Sequence, residues 1–312
     1  MSGGGPAPAL SLVVPVYDEE ENVAPLHAEL ARIACDLGRP YEILFVNDGS
    51  GDGTLARLEL LAAADPHVRI VDLDGNFGEA AALSAGFAHA RGAVVVTLDG
   101  DGQNDPADIP RLLARLDEGV DVVSGRRLER REAFVSRVLP SRIANWLIAR
   151  ATGVPVYDCG CGLKAYRREL VVGAQLPRGM NRFLPAILGV DPSRVAEVAV
   201  RDRPRGGGRS HYGLERIFIV CRDLVALPLL VRRGAPTRAL ARRLATAGAV
   251  LAAAGVVVAI AAALLRPQAR AFALAGALGA LLTAALGRAV GHNVGRFVTA
   301  REDGVFRVRR VV

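Results

Sequence analysis

A chain of 312 residues, 51% hydrophobic and 23% charged, is long enough for one large domain or two ordinary ones with ample core. Its net charge of +7 is unevenly placed: residues 1–125 hold 7 basic and 21 acidic side chains, 126–231 hold 19 and 9, and 232–312 hold 13 and 2. An acidic third followed by two basic ones is not the footprint of a protein that coats phosphate backbones, and this excludes nucleic acid as the expected partner.

Lys164 is the only lysine, so the positive charge is almost all arginine. Four cysteines in a chain this long make no disulfide framework, and Cys159-Gly-Cys161 has no second pair at zinc spacing. A reducing compartment fits. The N-terminal MSGGGPAPAL has no basic stretch, and the apolar run behind it ends at Asp18, so it does not read as a signal peptide. Residues 1–9 are expected to be disordered.

The elements follow in order. Residues 10–17 form a short β-branched strand, then an acidic loop at 18–21, then a helix with apolar positions at Val23, Leu26, Leu30 and Ile33. A second strand, 41–46, ends in Asn47-Asp48-Gly49-Ser50-Gly51-Asp52-Gly53-Thr54, a tight turn in which Asp52 or Thr54 can cap the next helix. Strands at 68–73 and 92–98 flank an Ala-rich helix at 78–91, and Asp105-Pro106 opens a helix through Leu116. Residues 121–124 and 195–200 read as further strands, 126–150 as mostly helical and arginine-rich, and 201–209 as a Gly/Arg loop suited to clamping an anion or closing as a lid.

Apolar strands without alternation, separated by helices, predict an α/β doubly wound, mostly parallel sheet with helices on both faces. Ligands bind beyond the carboxyl ends of such strands, and the acids Asp18, Glu19, Asp48, Asp74, Asp99 and Asp101 collect there.

The C-terminal third differs. Residues 244–265 and 271–287 carry no charge, which makes runs of 22 and 17 residues, about 33 and 26 Å as helix against a hydrocarbon core of about 30 Å. Ala275 and Gly279 offer a small-residue face for packing. Arginines flank the pair on both outer sides, so both ends are expected on the cytoplasmic face. Residues 214–230, apolar but broken by charge, read as an interfacial helix. The expected divisions are a catalytic domain at 10–213, juxtamembrane helices at 214–243, a transmembrane hairpin at 244–290 and a basic cytoplasmic tail at 291–312.

Asp99-Gly-Asp101-Gly-Gln103 follows an apolar strand directly. Two carboxylates at i and i+2 with an amide oxygen at i+4 supply hard oxygen donors that suit Mg²⁺ or Mn²⁺ bridging a diphosphate. No glycine fingerprint of the G-x-G-x-x-G or Walker type opens the first helix.

The order of motifs resembles glycosyltransferase family 2, with its GT-A fold, in the branch of dolichol-phosphate mannosyltransferase and bacterial polyprenyl-phosphate hexose synthases. The residues are VVPVYDEEENV (13–23), VNDGSGDGT (46–54), NFGEAAALSAGF (76–87), LDGDGQNDP (98–106), DVVSGRR (121–127), LPSRIANWL (139–147), DCGCGLKAYRRE (158–169), RFLPAI (182–187) and VRDRPRGGGRSHYGL (200–214). The resemblance implies that Pro15, Tyr17, Glu19 and Asp48 bind the donor nucleoside, with Asp99 also on the nucleotide sugar. It implies that Asp99, Asp101 and Gln103 hold the metal, with Asp101 in the catalytic set. It also implies that Arg127, Arg142 and Arg205 meet donor or acceptor phosphates, with Arg127 and Arg142 on the acceptor. His211 stands where the motif has Lys, Asp18 where Asn is usual, and Asn181 and Asp202 where His is common.

A phosphate acceptor needs cations more than a strong base, and the arginine-rich middle segment supplies them. The expectation is therefore a membrane-anchored, inverting enzyme that moves a hexose from a nucleotide sugar to a polyprenyl phosphate on the cytoplasmic leaflet, with homo-oligomers possible. The alternatives are transfer to a glycolipid or glycan hydroxyl, which would need Asp101 or Asp158 as base, and a non-catalytic nucleotide-sugar-binding subunit. The Q-x-x-R-W motif of processive synthases is missing, Trp146 being the sole tryptophan.

Overall fold

The computed structural model describes residues 8–127, 146, 148–150, 153, 154, 156–203, 238–265 and 270–312. Most of the helix expected over 126–150, most of the loop at 201–209, the interfacial helix expected at 214–230 and residues 1–7 of the start expected to be disordered over 1–9 lie outside the described residues.

The chain divides into two compact units, 1–212 with 303–312, and 213–302. In the first, β1 (Leu10–Val16), α1 (Val23–Asp36), β2 (Tyr41–Asn47), α2 (Thr54–Ala64), β3 (Val68–Leu73), α3 (Glu79–His89) and β4 (Val94–Thr97) alternate as the apolar pattern predicts. Then come α4 (Ile109–Asp117), β5 (Val122–Arg127), β6 (Lys164–Arg167), α5 (Arg168–Val171), α6 (Leu184–Ile187), β7 (Val195–Val200) and β8 (Val308–Val311).

The eight strands form one sheet in the order β7-β5-β6-β4-β1-β2-β3-β8. The strands β4-β1-β2-β3 are parallel, in register Leu10↔Tyr41 and Leu10↔Val94. The sheet is mixed: β6 runs antiparallel between β4 and β5, and β8 runs antiparallel on β3.

Burial explains the unalternating strands. Leu12, Val13, Val14, Ile43, Leu44, Phe45 and Val46 have no exposed surface, because helices cover both faces. The apolar stripe of α1 is buried as its spacing predicts. Asp105 caps the short turn before α4, its Oδ1 accepting from Ala107 N–H at 3.0 Å with Pro106 at the first position. Asp52 likewise accepts from Thr54 N–H at 3.0 Å at the start of α2.

One expectation is corrected, and one strand was not foreseen. The basic tail at 291–312 is instead the end of a long helix followed by β8, which pairs with the edge of the sheet. Lys164–Arg167, embedded in a polar motif too short to show a period, is a central strand.

The second unit holds α7 (Arg238–Leu265) and α8 (Arg270–Asp303), about 42 and 51 Å long at 1.5 Å per residue. Counting only described side chains, no helix is long and apolar enough to cross a membrane. Small residues let the two backbones meet: a Cβ on Gly248 would lie 2.9 Å from Gly287 Cα, and one on Gly255 would lie 2.5 Å from Ala280 Cβ. Both pairs are spaced by seven residues, one helix face. Gly279, expected at that contact, faces open space.

In the first unit a close approach joins α3 to β1, where a Cβ at Gly86 would lie 2.3 Å from Val13 Cγ1. Gly86→Ala is expected to lower the unfolding free energy by about 1–3 kcal/mol, as overpacking does. Chemical denaturation of the purified protein measures it, and an unchanged midpoint would refute the packing argument.

Candidate active site

The loops after β1 and β2 are laced together at the carboxyl edge of the sheet. Asp18 N–H donates to Ser50 Oγ at 3.0 Å, Glu19 N–H to Thr54 Oγ1 at 2.9 Å, and Gly51 N–H to Asp18 Oδ1 at 2.7 Å. Asp18 takes a left-handed backbone with φ of 53°, uncommon outside glycine but tolerated by Asp and Asn. Pro15 closes β1 beside these contacts, and Tyr17 is 47% exposed, its ring open to a stacking ligand. Glu19 is buried and accepts from Asn22 Nδ2 at 2.5 Å.

Asp48 is buried at the end of β2, where its two oxygens accept from Phe77 and Gly78 N–H at 2.8 Å each. Burial raises its pKa, against the lowering effect of those two bonds and of the Arg178 charge. Gly49, at φ of 70°, brings its backbone so close to Gly75 that a Cβ would lie 2.5 Å from the Gly75 carbonyl carbon. Asp48 thus ties the turn before α3 to the loop after β2.

Beyond β4, Asp99 lies against Gly162, where a Cβ would come within 2.2 Å of Asp99 Oδ1, so only glycine fits. Burial, then the charges of Glu79 and Asp101, push the Asp99 pKa up to about 8, against the lowering effect of Lys164 and Arg127. Asp99 N–H donates to Asn104 Oδ1 at 3.0 Å, and Gln103 N–H donates to Asp101 Oδ1 at 3.1 Å, which closes the loop on itself. Among the described residues, no group of three His, Cys, Asp or Glu side chains is disposed to hold a metal. The expected set of Asp99, Asp101 and Gln103 contains only two carboxylates.

Several residues that organise the site were missed by sequence reading. Asn104 bridges to Asp202, Gln103 C=O accepts from Arg203 N–H at 2.8 Å, and Asp108 Oδ2 accepts from Arg201 N–H at 2.7 Å. The Arg203 guanidinium binds Glu29 at 2.8 and 3.0 Å and Asp105 at 2.6 Å. The root of the Gly/Arg loop is therefore fastened to the D-x-D loop. Glu79 faces the same pocket of charge and accepts from Asn181 Nδ2 at 2.6 Å. Its place in the quoted motif at 76–87 was the available signal.

Arg127 is gripped by Asp158, with Nε at 2.8 Å from one oxygen and Nη2 at 3.1 Å from the other. Burial works against its charge, but the Asp158 hydrogen bonds and charge outweigh that and raise its pKa. Asp158 also accepts from Arg127 N–H at 3.2 Å, so this carboxylate is committed to orienting an arginine. Arg142, Arg205 and His211 lie outside the described residues. The structure brings Pro15, Tyr17, Glu19, Asp48, Asp99, Asp101 and Gln103 to one edge and places Arg127 at the end of β5. Cys159 and Cys161 are buried free thiols, and burial raises their pKa values to about 11 and about 12, which makes them inert.

A sheet of this order with an acidic D-x-D loop at its carboxyl edge defines the GT-A architecture. The pattern of glycosyl transferase family 2 matches residues 11–172, and the chain belongs to that family of glycosyltransferases. The dodecaprenyl-phosphate galacturonate synthase of Rhizobium johnstonii is 41% identical over 227 residues, 72% of this chain and 67% of that protein. Glucosyl-3-phosphoglycerate synthase of Mycobacterium tuberculosis shares the fold: its complex with Mn²⁺, UDP-glucose and phosphoglyceric acid has a TM-score of 0.54 at 21% identity, covering 71% of this chain and 79% of that one. Its complex with Mn²⁺, UDP and glucosyl-3-phosphoglycerate has a TM-score of 0.55 at 22% identity, covering 74% and 81%.

The raised Asp99 pKa has a stability consequence. The unfolded chain releases this proton near 3.8 and the folded one near 8, so without divalent cations stability falls as pH rises across that window. Asp99→Asn is expected to flatten that fall and to raise the melting temperature at pH 8, as differential scanning fluorimetry in chelator would show.

Proposed function

We propose that the chain transfers a hexose, uronic acids included, from a nucleotide sugar to a polyprenyl phosphate at the cytoplasmic face of a membrane. The observation that carries this reading is the 41% identity with a dodecaprenyl-phosphate sugar synthase over 227 residues. Uronic acid belongs in the donor class because that relative is named for galacturonate.

The chemistry follows from the charges. A phosphate monoester is mostly dianionic near pH 7 and needs cations to hold it, not a base. One of its oxygens attacks the anomeric carbon, the new C–O bond forms on one face, and the bond to the diphosphate breaks on the other. The configuration inverts and a nucleoside diphosphate leaves. Arg127, oriented by Asp158, and Arg142 would hold the acceptor phosphate, while Arg205 and His211 would meet the donor diphosphate. Pro15, Tyr17, Glu19 and Asp48 would seat the nucleoside.

The all-oxygen set of Asp99, Asp101 and Gln103 fits Mg²⁺ or Mn²⁺: burial, then the charges of Glu79 and Asp101, raise the Asp99 pKa, and a divalent cation would offset that charge. Such an ion, when bound, offsets charge on the departing diphosphate. Asp158 is a poor candidate for the base that a hydroxyl acceptor would require, since Arg127 occupies both its oxygens.

We further propose that α7 and α8 anchor the protein as a transmembrane hairpin. The full sequence of α7 has no charge from 244 to 265, and Val250, Leu251, Val257, Val258, Ile260, Leu278, Leu281 and Leu282 are each more than half exposed. Apolar surface of that extent is what lipid covers.

A panel of nucleotide sugars, uronic acids among them, with polyprenyl phosphate and Mg²⁺ or Mn²⁺ is expected to put labelled sugar into the lipid phase. Asp99→Ala and Asp101→Ala are each expected to abolish it, and full activity in both would remove the metal assignment. Washing membranes at alkaline pH is expected to leave the protein in the pellet, and its release would refute the hairpin.

A further inference from the structure

The charge contrast between the ends of the chain meets at one buried carboxylate. Asp72, on β3, has no exposed surface. Its Oδ2 lies 3.1 Å from Arg309 Nη1 and 3.8 Å from Arg310 Nε, both on β8. Arg310 also pairs with Glu59, and Arg307 lies 3.8 Å from Asp74. The strand has its own ladder to β3, with Ile70 N–H to Val312 C=O and Val312 N–H to Ile70 C=O at 2.9 Å each. Capping a sheet edge does not require a buried carboxylate, whose desolvation costs stability.

The other oxygen of Asp72 explains where that pair leads. Oδ1 accepts from Asn47 Nδ2 at 2.8 Å. A primary amide can present its nitrogen or its oxygen to either side, but a carboxylate only accepts. Asp72 therefore fixes the Asn47 amide with its nitrogen inward, and Asn47 Oδ1 is left to accept from Ser50 Oγ at 2.6 Å and Ser50 N–H at 3.3 Å. Ser50 Oγ in turn accepts from Asp18 N–H at 3.0 Å, and Asp18 holds Gly51 N–H in its left-handed turn. The path from Arg309 to the loops that carry Tyr17, Glu19 and Asp48 is unbroken.

We infer that Arg309 and Arg310 are positioning residues for the donor nucleotide, acting through Asp72 and Asn47 on the loops after β1 and β2. The inference rests on the reading of those loops as the nucleoside site. It makes donor binding depend on residues 304–312, which follow α8 in sequence and complete the sheet of the catalytic unit.

The test uses the full chain in detergent, with UDP and GDP, each with Mn²⁺, as binding probes, and donor and acceptor kinetics on the transferred sugar. The double variant Arg309→Ala/Arg310→Ala is expected to bind the preferred nucleotide about three- to tenfold more weakly and to raise the donor KM by the same factor. Turnover at saturating donor and the acceptor KM should stay unchanged, and Arg309→Lys/Arg310→Lys should recover most of the affinity. Amide exchange at 46–54 should quicken in the Ala variant without nucleotide. If the variant fails to fold, Arg309→Ala alone, which keeps the ladder and Arg310, is measured the same way. A lowered melting temperature with unchanged nucleotide affinity would overturn the inference and reduce β8 to an edge cap. A wild-type chain that binds neither nucleotide would overturn the donor reading itself, and the inference with it.

Discussion

Like charges collected at one edge of a sheet repel, and in a partly dry environment that repulsion is strong enough to decide which carboxylates ionise. The first 125 residues place most of their acids at or near that edge. The fold manages them individually. Asp48 is satisfied by two backbone N–H groups, Asp105 and Asp108 by the arginines that follow β7, Asp158 by Arg127, and Asp72 by the arginines of β8. Asp99, pressed first by burial and then by the charges of Glu79 and Asp101, has its pKa pushed up to about 8. Crowding carboxylates in this way gives up stability at one place in the fold, as functional sites commonly do.

The same accounting makes sense of the arginines. Those in the described residues of the middle segment are mostly committed to partners and act by holding loops: Arg203 staples Glu29 and Asp105, and Arg194 pairs with Asp121. Arg127 differs in being held at the end of β5 by Asp158, whose bonds and charge outweigh the cost of its burial. The charge contrast between the halves of the chain is thus partly internal complementarity, in addition to any attraction toward phosphate or lipid.

The parallel core was legible in the sequence because its signals are local: apolar runs of strand length, helix spacing in α1, the Asp-Pro start before α4. The position of the D-x-D motif at a strand end was legible for the same reason. The Asp99, Asp101 and Gln103 grouping was read from spacing alone. What sequence reading missed depends on residues far apart in the chain. Glu79 reaches Asp99 across the sheet edge, Asn104 finds Asp202 98 positions on, and β6 lies in the centre of the sheet although its four residues carry no period.

The basic C-terminal segment shows the division most clearly. Composition established that it is cationic and that it follows two long uncharged runs, and the family motifs established the reaction class. Only the tertiary structure decided that its last residues join the catalytic sheet, because strand pairing at an edge is set by geometry and by a buried carboxylate more than two hundred residues away. Local sequence determines which residues become strand, helix or turn, since those depend on neighbours in the chain. Which charge meets which is a three-dimensional matter, and in this protein that is what shapes the site.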